Sequence, residues 1–101
     1  MKIVILGAGA VGSTLASLLC QENDLVVVDH NSSELHRLEE EANIKTLTGG
    51  ASYPNILVNA GIQEADMVVA VTGSDETNIV SCMIAKAVSY THLTLPTICS
   101  V

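Results

Sequence analysis

The sequence predicts an α/β domain built on a doubly wound parallel sheet, truncated after its fourth helix. Three observations carry that prediction. Short β-branched runs alternate four times with amphipathic segments, the connections between them are short, and the apolar palette is Val, Ile, Leu and Ala with no Trp or Phe. Parallel strands covered by helices on both faces read as continuous apolar runs of this kind, and right-handed crossovers join them. A length of 101 residues fits one domain. Its body is placed at residues 1–88, with 89–101 as an atypical tail.

Lys2 to Leu6 is a buried strand that runs into a glycine turn. From Ala10 to Gln21, Val11, Leu15, Leu18 and Leu19 recur at helical spacing and predict an apolar helix face. Leu25 to Val28 is a second strand, closed by Asp29. Asn31 is placed to cap a second helix, with Glu34 as a box-like partner three residues on. Leu35, Leu38 and Ala42 form the buried stripe of that helix, and Glu39, Glu40 and Glu41 are a solvated face at its end.

Ile44 to Leu47 is a third strand, followed by a loop from Thr48 to Ser52. Pro54 suits the first turn of a short helix that Gly61 terminates. Met67 to Val71 is a fourth strand. The fourth helix is placed from Asp75 to Val88, with Ile79, Val80, Met83, Ile84 and Ala87 as its apolar face. After Lys86 no charged residue follows, and Ser89 to Pro96 keeps neither the helical nor the strand period. A fifth strand there would be confined to an edge by Pro96, and the stretch reads as a truncated or non-native end.

A net charge of −7 argues against nucleic acid as a partner, since such a surface repels phosphodiester backbones. Cys20, Cys82 and Cys99 are odd in number and lack metal-ligand spacing with His30, His36 or His92, so reduced thiols and no metal site are expected. The apolar N-terminus is punctuated by Gly7, Gly9 and Gly12, and Leu18 and Leu19 stand before Cys20 where a lipoprotein signal needs small residues. No apolar run approaches the ~18 residues of a membrane helix. A soluble cytoplasmic protein without direct membrane insertion is the expectation.

Gly7-Ala8-Gly9-Ala10-Val11-Gly12 is a G-x-G-x-x-G run. It follows a strand and opens a helix, and the next strand ends in an acid, Asp29, 22 residues after Gly7. Together these make the fingerprint of a Rossmann-like dinucleotide site. Gly7 takes the tight turn, Gly9 lets a pyrophosphate approach the backbone, and Gly12 lets the helix pack closely. The amides around Ala10 and Val11 then face the phosphates with the positive end of the helix dipole. The Asp29 carboxylate suits both adenosine ribose hydroxyls and would repel a 2′-phosphate. His30 follows it rather than Arg or Lys, which favours NAD over NADP. Loops after the third and fourth strands complete the candidate site, with Ala51 near the adenine and Thr72 and Gly73 near ribose or phosphate.

The first twelve residues, Val28-Asp29-His30-Asn31, Asp66 to Thr72 and Asp75-Glu76-Thr77-Asn78 together resemble one family. They are similar to the regulator-of-potassium-conductance, or KTN, domains that form the N-terminal part of bacterial Trk potassium-uptake regulators. The resemblance implies a cytoplasmic subunit, peripheral to the inner face of the cell membrane, that assembles as a dimer or ring beneath a membrane potassium transporter. It would bind NAD or NADH, sometimes ATP or ADP, and alter gating without catalysis. By the same resemblance Gly7, Ala8, Gly9, Ala10 and Val11 match phosphate-binding positions, Asp29 the ribose position, and Thr72 and Gly73 further nucleotide contacts. Two departures stand out: Gly50 replaces a polar residue that many relatives carry, and the Arg that relatives place on a fifth strand is missing. The alternative is the cofactor-binding fragment of an NAD-dependent dehydrogenase, against which stands the lack of a hydride-transfer acid or base. A structural dimerisation module would leave the glycine fingerprint unexplained.

Overall fold

The computed structural model describes residues 1–40 and 44–88, and the backbone of 97–99. The chain runs β1 (Lys2–Leu6), α1 (Ala10–Leu19), β2 (Asp24–Asp29), α2 (Ser32–Leu38), β3 (Ile44–Thr48), α3 (Pro54–Asn59), a 3-10 turn (Ile62–Glu64), β4 (Met67–Ala70), α4 (Asp75–Val88) and β5 (Thr97–Cys99). All strand pairings are parallel and the order across the sheet is β3-β2-β1-β4-β5. The order reverses at β1, which pairs with β2 through Ile3 and Leu25 and with β4 through Ile3 and Met67. β5 adds a three-residue edge strand after Pro96, the position that proline allows. The remainder of the predicted tail, with Glu41 and Ala42, lies outside the described residues.

Strand alternation divides the core. Ile3 and Ile5 of β1 join Leu25, Val27, Ala16, Leu35 and Leu38 under α1 and α2. Val4 and Leu6 join Val28, Val68, Leu57, Cys82 and Ala85 under α3 and α4. Both faces are therefore covered, as the unbroken apolar runs require.

Two predicted helix faces are corrected. α1 ends at Leu19 rather than Gln21, and it turns Gly12, Ala16 and Cys20 inward while Val11 and Leu18 are exposed. α4 buries Asn78, Ser81, Cys82 and Ala85, while Ile79, Val80 and Met83 face outward. In both, small residues lie nearest the sheet. Leu15 and Leu19 of α1 and Ile84 of α4 still pack partly against the core, as predicted, while Val11, Leu18, Ile79, Val80 and Met83 turn to solvent. Hydropathy periodicity locates an apolar stripe but takes no account of how closely two backbones must approach.

Smaller differences have local causes. The box partner assigned to Glu34 does not form, because the Asn31 N–H donates to Asp29 Oδ1 at 2.8 Å and Glu34 pairs with Arg37. Asn31 still caps α2, its Oδ1 accepting from the Ser33 N–H at 2.9 Å. Gly61 ends α3 in the left-handed region at φ 87°, then leads into a 3-10 turn that the sequence reading omitted. Cys20 is a buried thiol, as expected, and donates to the Ser17 carbonyl at 3.5 Å. Cys82 is disulfide-bonded, which corrects the expectation of a thiol there; linear spacing is blind to what α4 packs against. No group of three or more His, Cys, Asp or Glu among the described residues is arranged to hold a metal.

Candidate functional site

The chain reverses sheet direction at β1, so the loops after β1 and β4 diverge and leave a crevice at the carboxyl ends of the strands. A cavity of about 410 Å3 occupies it, a size common for small-molecule sites. Its walls come from three loops and one strand end. Gly7 and Gly9 line it from the first turn, Asp29 and His30 from the end of β2, Ala51 from the loop after β3, and Thr72 and Gly73 from the loop after β4. Seven of the residues singled out in the sequence are thus brought together.

The other four serve the turn behind the cavity. Gly12 is buried where α1 crosses the loop, and a Cβ there would lie 1.8 Å from the Gly7 carbonyl oxygen. Gly7 itself has φ 115° and donates its N–H to the Val28 carbonyl at 2.7 Å. Ala8 is fully buried, and its N–H donates to Asp29 Oδ2 at 2.7 Å. Ala10 and Val11 form the exposed first turn of α1.

That first turn is bare. Its N-cap is Gly9, which offers no side-chain acceptor, and no acidic residue stands in the turn. The first intrahelical bond of α1 belongs to Ser13, whose N–H reaches the Gly9 carbonyl at 2.9 Å. The N–H groups before it have no acceptor in the helix and carry the positive end of its dipole. Of the other helix starts at this edge, Asn31 caps α2 and Asp75 and Glu76 stand in the first turn of α4, whereas α3 opens on Tyr53 and Pro54 without a side-chain cap or an acid.

Asp29 is held rather than free to swing. Oδ2 accepts from the Ala8 N–H and Oδ1 from the Asn31 N–H, and its side chain is 14% exposed. Each oxygen keeps a lone pair for a further donor. His30 Nδ1 lies 3.5 Å from Oδ1, on a largely exposed ring. Lys2, Arg37, Lys45 and Lys86 are the only cationic side chains in the chain, and none of them lines the cavity.

α4 fastens the two remaining loops, a function that sequence reasoning missed. The fully buried Asn78 accepts from the Thr72 N–H at 2.8 Å and the Thr72 hydroxyl at 2.6 Å, and its amide donates to the Thr72 carbonyl at 3.2 Å. Ser81, one turn on, donates its hydroxyl to the Ala51 carbonyl at 2.7 Å. The available signal was a pair of polar residues at i and i+3 inside an apolar helix, which reads as solvent-facing until the loops supply partners. Asn78→Ala should lower stability by about 2 kcal/mol, because three hydrogen bonds between a fully buried amide and the half-buried Thr72 are lost. A thermal melt unchanged by the substitution would show that water replaces the amide.

A parallel sheet reversed at β1, a glycine turn opening α1 and an acid closing β2 define the class as a Rossmann-like α/β domain. Residues 3–99 match the TrkA-N domain model, and the chain belongs to that family. It is 49% identical over 86 residues to the Trk system potassium uptake protein TrkA of Vibrio alginolyticus, covering 84% of this chain and 19% of that protein. Against the protein of the same name from Haemophilus influenzae it is 45% identical over 98 residues, covering 96% of this chain and 20% of that one. The chain thus spans about a fifth of the length of these relatives, which are named as components of a potassium-uptake system.

Among solved structures, the Shewanella denitrificans Kef CTD in AMP-bound form superposes with a TM-score of 0.72 at 21% identity, covering 97% of this chain and 57% of that one. A short-chain dehydrogenase/reductase from Veillonella parvula in complex with NADP gives 0.69 at 17% identity, with coverage of 88% and 43%. These two likenesses are of fold. Among the described residues, no helix is long and apolar enough to cross a membrane.

Proposed function

We propose that this domain is the nucleotide-sensing part of a potassium-uptake regulator, binding NAD or NADH, with ATP and ADP as further ligands, and carrying no chemistry of its own. One observation supports this most directly. A Cβ added to Gly9 or Gly73 meets nothing within 4 Å, whereas one added to any other glycine meets protein atoms. Neither position has a positive φ, and both line the cavity. A glycine that neither backbone conformation nor internal packing requires is explained by a backbone that a ligand approaches from outside.

The bare first turn of α1 suits the pyrophosphate, and the oriented Asp29 carboxylate suits the ribose hydroxyls. With no cationic side chain on the cavity wall, a 2′-phosphate would meet Asp29 uncompensated, so NAD is favoured over NADP.

In the intact protein, nucleotide would bias the assembly between two arrangements by binding one more tightly than the other. The names of the relatives support a membrane potassium transporter as the partner, and with it a cytoplasmic position peripheral to the membrane. The uncovered Ile79, Val80 and Met83 on α4 support assembly into a dimer or ring. The dehydrogenase alternative gains only fold likeness, and this fold hosts many functions.

Calorimetry with NAD, NADH, ATP, ADP and NADP tests the reading. Asp29→Ala should weaken NAD binding by about 10- to 100-fold, since hydrogen bonds to a charged acceptor contribute roughly 1.5–3 kcal/mol each. Equal affinity in the variant would overturn the ribose assignment. Absence of heat with every nucleotide on the unaltered chain would overturn nucleotide binding itself.

A further inference from the structure

Tyr53 has no part in the core, yet it lines the cavity with its side chain largely in solvent. The chain has two aromatic residues in all, and this one stands at the mouth of the candidate site. Its backbone is fixed at both ends of the loop. The Tyr53 N–H donates to the Gly50 carbonyl at 3.2 Å, and the Tyr53 carbonyl accepts from Ile56 and Leu57 as α3 begins at Pro54. The ring lies against the backbone of Gly50: a Cβ on that glycine would come within 2.8 Å of Cε2 and 2.9 Å of Cδ2. Gly50 is thus required to be small by the ring above it.

The same loop begins next to the ribose carboxylate, because the Gly49 N–H donates to the Asp29 carbonyl at 2.9 Å. A base attached to a ribose held by Asp29 would enter the space between this loop and the loop after β4.

We propose that Tyr53 is the stacking platform for the nucleobase, and that Gly50, by lacking a side chain, lets the ring lie there. This inference rests on the nucleotide-binding reading and names the residue that contacts the base. An exposed ring beside a planar heterocycle gains by covering its face, and such stacking tolerates differences among bases because each presents a π-face. Purine nucleotides should consequently bind with similar affinities, and discrimination should come from the ribose and phosphates.

The test uses the 101-residue chain with ADP as the probe, in calorimetry and in tyrosine fluorescence. The fluorescence is simple to assign, because the chain lacks Trp and a Tyr90→Phe background leaves Tyr53 as the only emitter. ADP should quench that emission. Tyr53→Ala should weaken ADP binding by roughly 10-fold or more with an unchanged melting temperature, and Tyr53→Phe should restore affinity to within about threefold.

Gly50→Ala should weaken binding when Tyr53 is present and have little further effect in Tyr53→Ala, because both changes remove the same contact. If the unaltered chain binds ADP while Tyr53→Ala binds equally well, the platform assignment fails and the nucleotide reading survives. Additive losses from the two substitutions would likewise overturn the Tyr53–Gly50 coupling. No binding by the unaltered chain would end both.

Discussion

Replacing Gly12 with alanine is expected to destabilise the domain by about 3 kcal/mol or more, a large part of the 5–15 kcal/mol that roughly holds a small domain together. The added methyl would sit 1.8 Å from the Gly7 carbonyl oxygen, well inside any permissible contact. Relief by moving Gly7 is blocked. Its N–H is bonded to the Val28 carbonyl at 2.7 Å, and at φ 115° it occupies a region that only glycine enters easily. Moving α1 outward instead would lift Ala16 and Cys20 off the sheet. Alanine's better helix propensity, worth about 1 kcal/mol over glycine, offsets only part of this. The melting temperature should fall by roughly 10 °C or more. A variant melting within about 2 °C of the unaltered chain would mean that the close crossing of α1 over the turn is not as described.

Gly9→Val is expected to do the reverse, leaving the fold intact while reducing nucleotide affinity by about 100-fold or more. The Gly9 backbone at φ −73° and ψ −160° is extended geometry that any residue adopts. A Cβ there meets nothing within 4 Å, so the protein itself has no objection to a side chain. A bound pyrophosphate does, because the branched side chain would occupy its path to the amides opening α1. Losing two charge-assisted hydrogen bonds, at roughly 1.5–3 kcal/mol each, corresponds to at least the stated loss. Calorimetry and a thermal melt on the same sample separate the outcomes. Retained affinity would remove Gly9 from the site, and a collapsed melting curve would assign it a structural role instead. The contrast between the two variants would separate a glycine required by packing from one that a ligand approaches.

The fold was legible because it rests on local, repeated signals. Each of β1 to β4 is announced by a run of β-branched and apolar residues, and Pro54, Gly61 and Asn31 punctuate the chain where turns and caps occur. The glycine run and Asp29 were legible for a different reason: their spacing is dictated by one strand, one turn and one helix of nearly fixed dimensions. The cavity lined by Gly7, Gly9 and Asp29 follows from that geometry. Asn78 and Ser81 gave no such signal, because a polar residue in a helix shows its partner only once the loops have folded against it. Ser81 meets Ala51 across thirty positions of chain.

The sequence by itself determined the alternation of strands and helices, the parallel sheet class and the turn that opens α1, since these follow from patterns within single strand–turn–helix units; the reversal at β1 comes from its pairing with β4. Tertiary structure decided which face of each helix is inside. At α1 the approach of Gly12 to the turn selects Gly12, Ala16 and Cys20 for burial and turns Leu18 to solvent. At α4 the unpaired polar groups of two loops draw Asn78 and Ser81 inward and leave Met83 outside. Backbone contact distance and the satisfaction of buried hydrogen bonds outweigh the pull of a few apolar side chains, and neither is expressed in hydropathy periodicity.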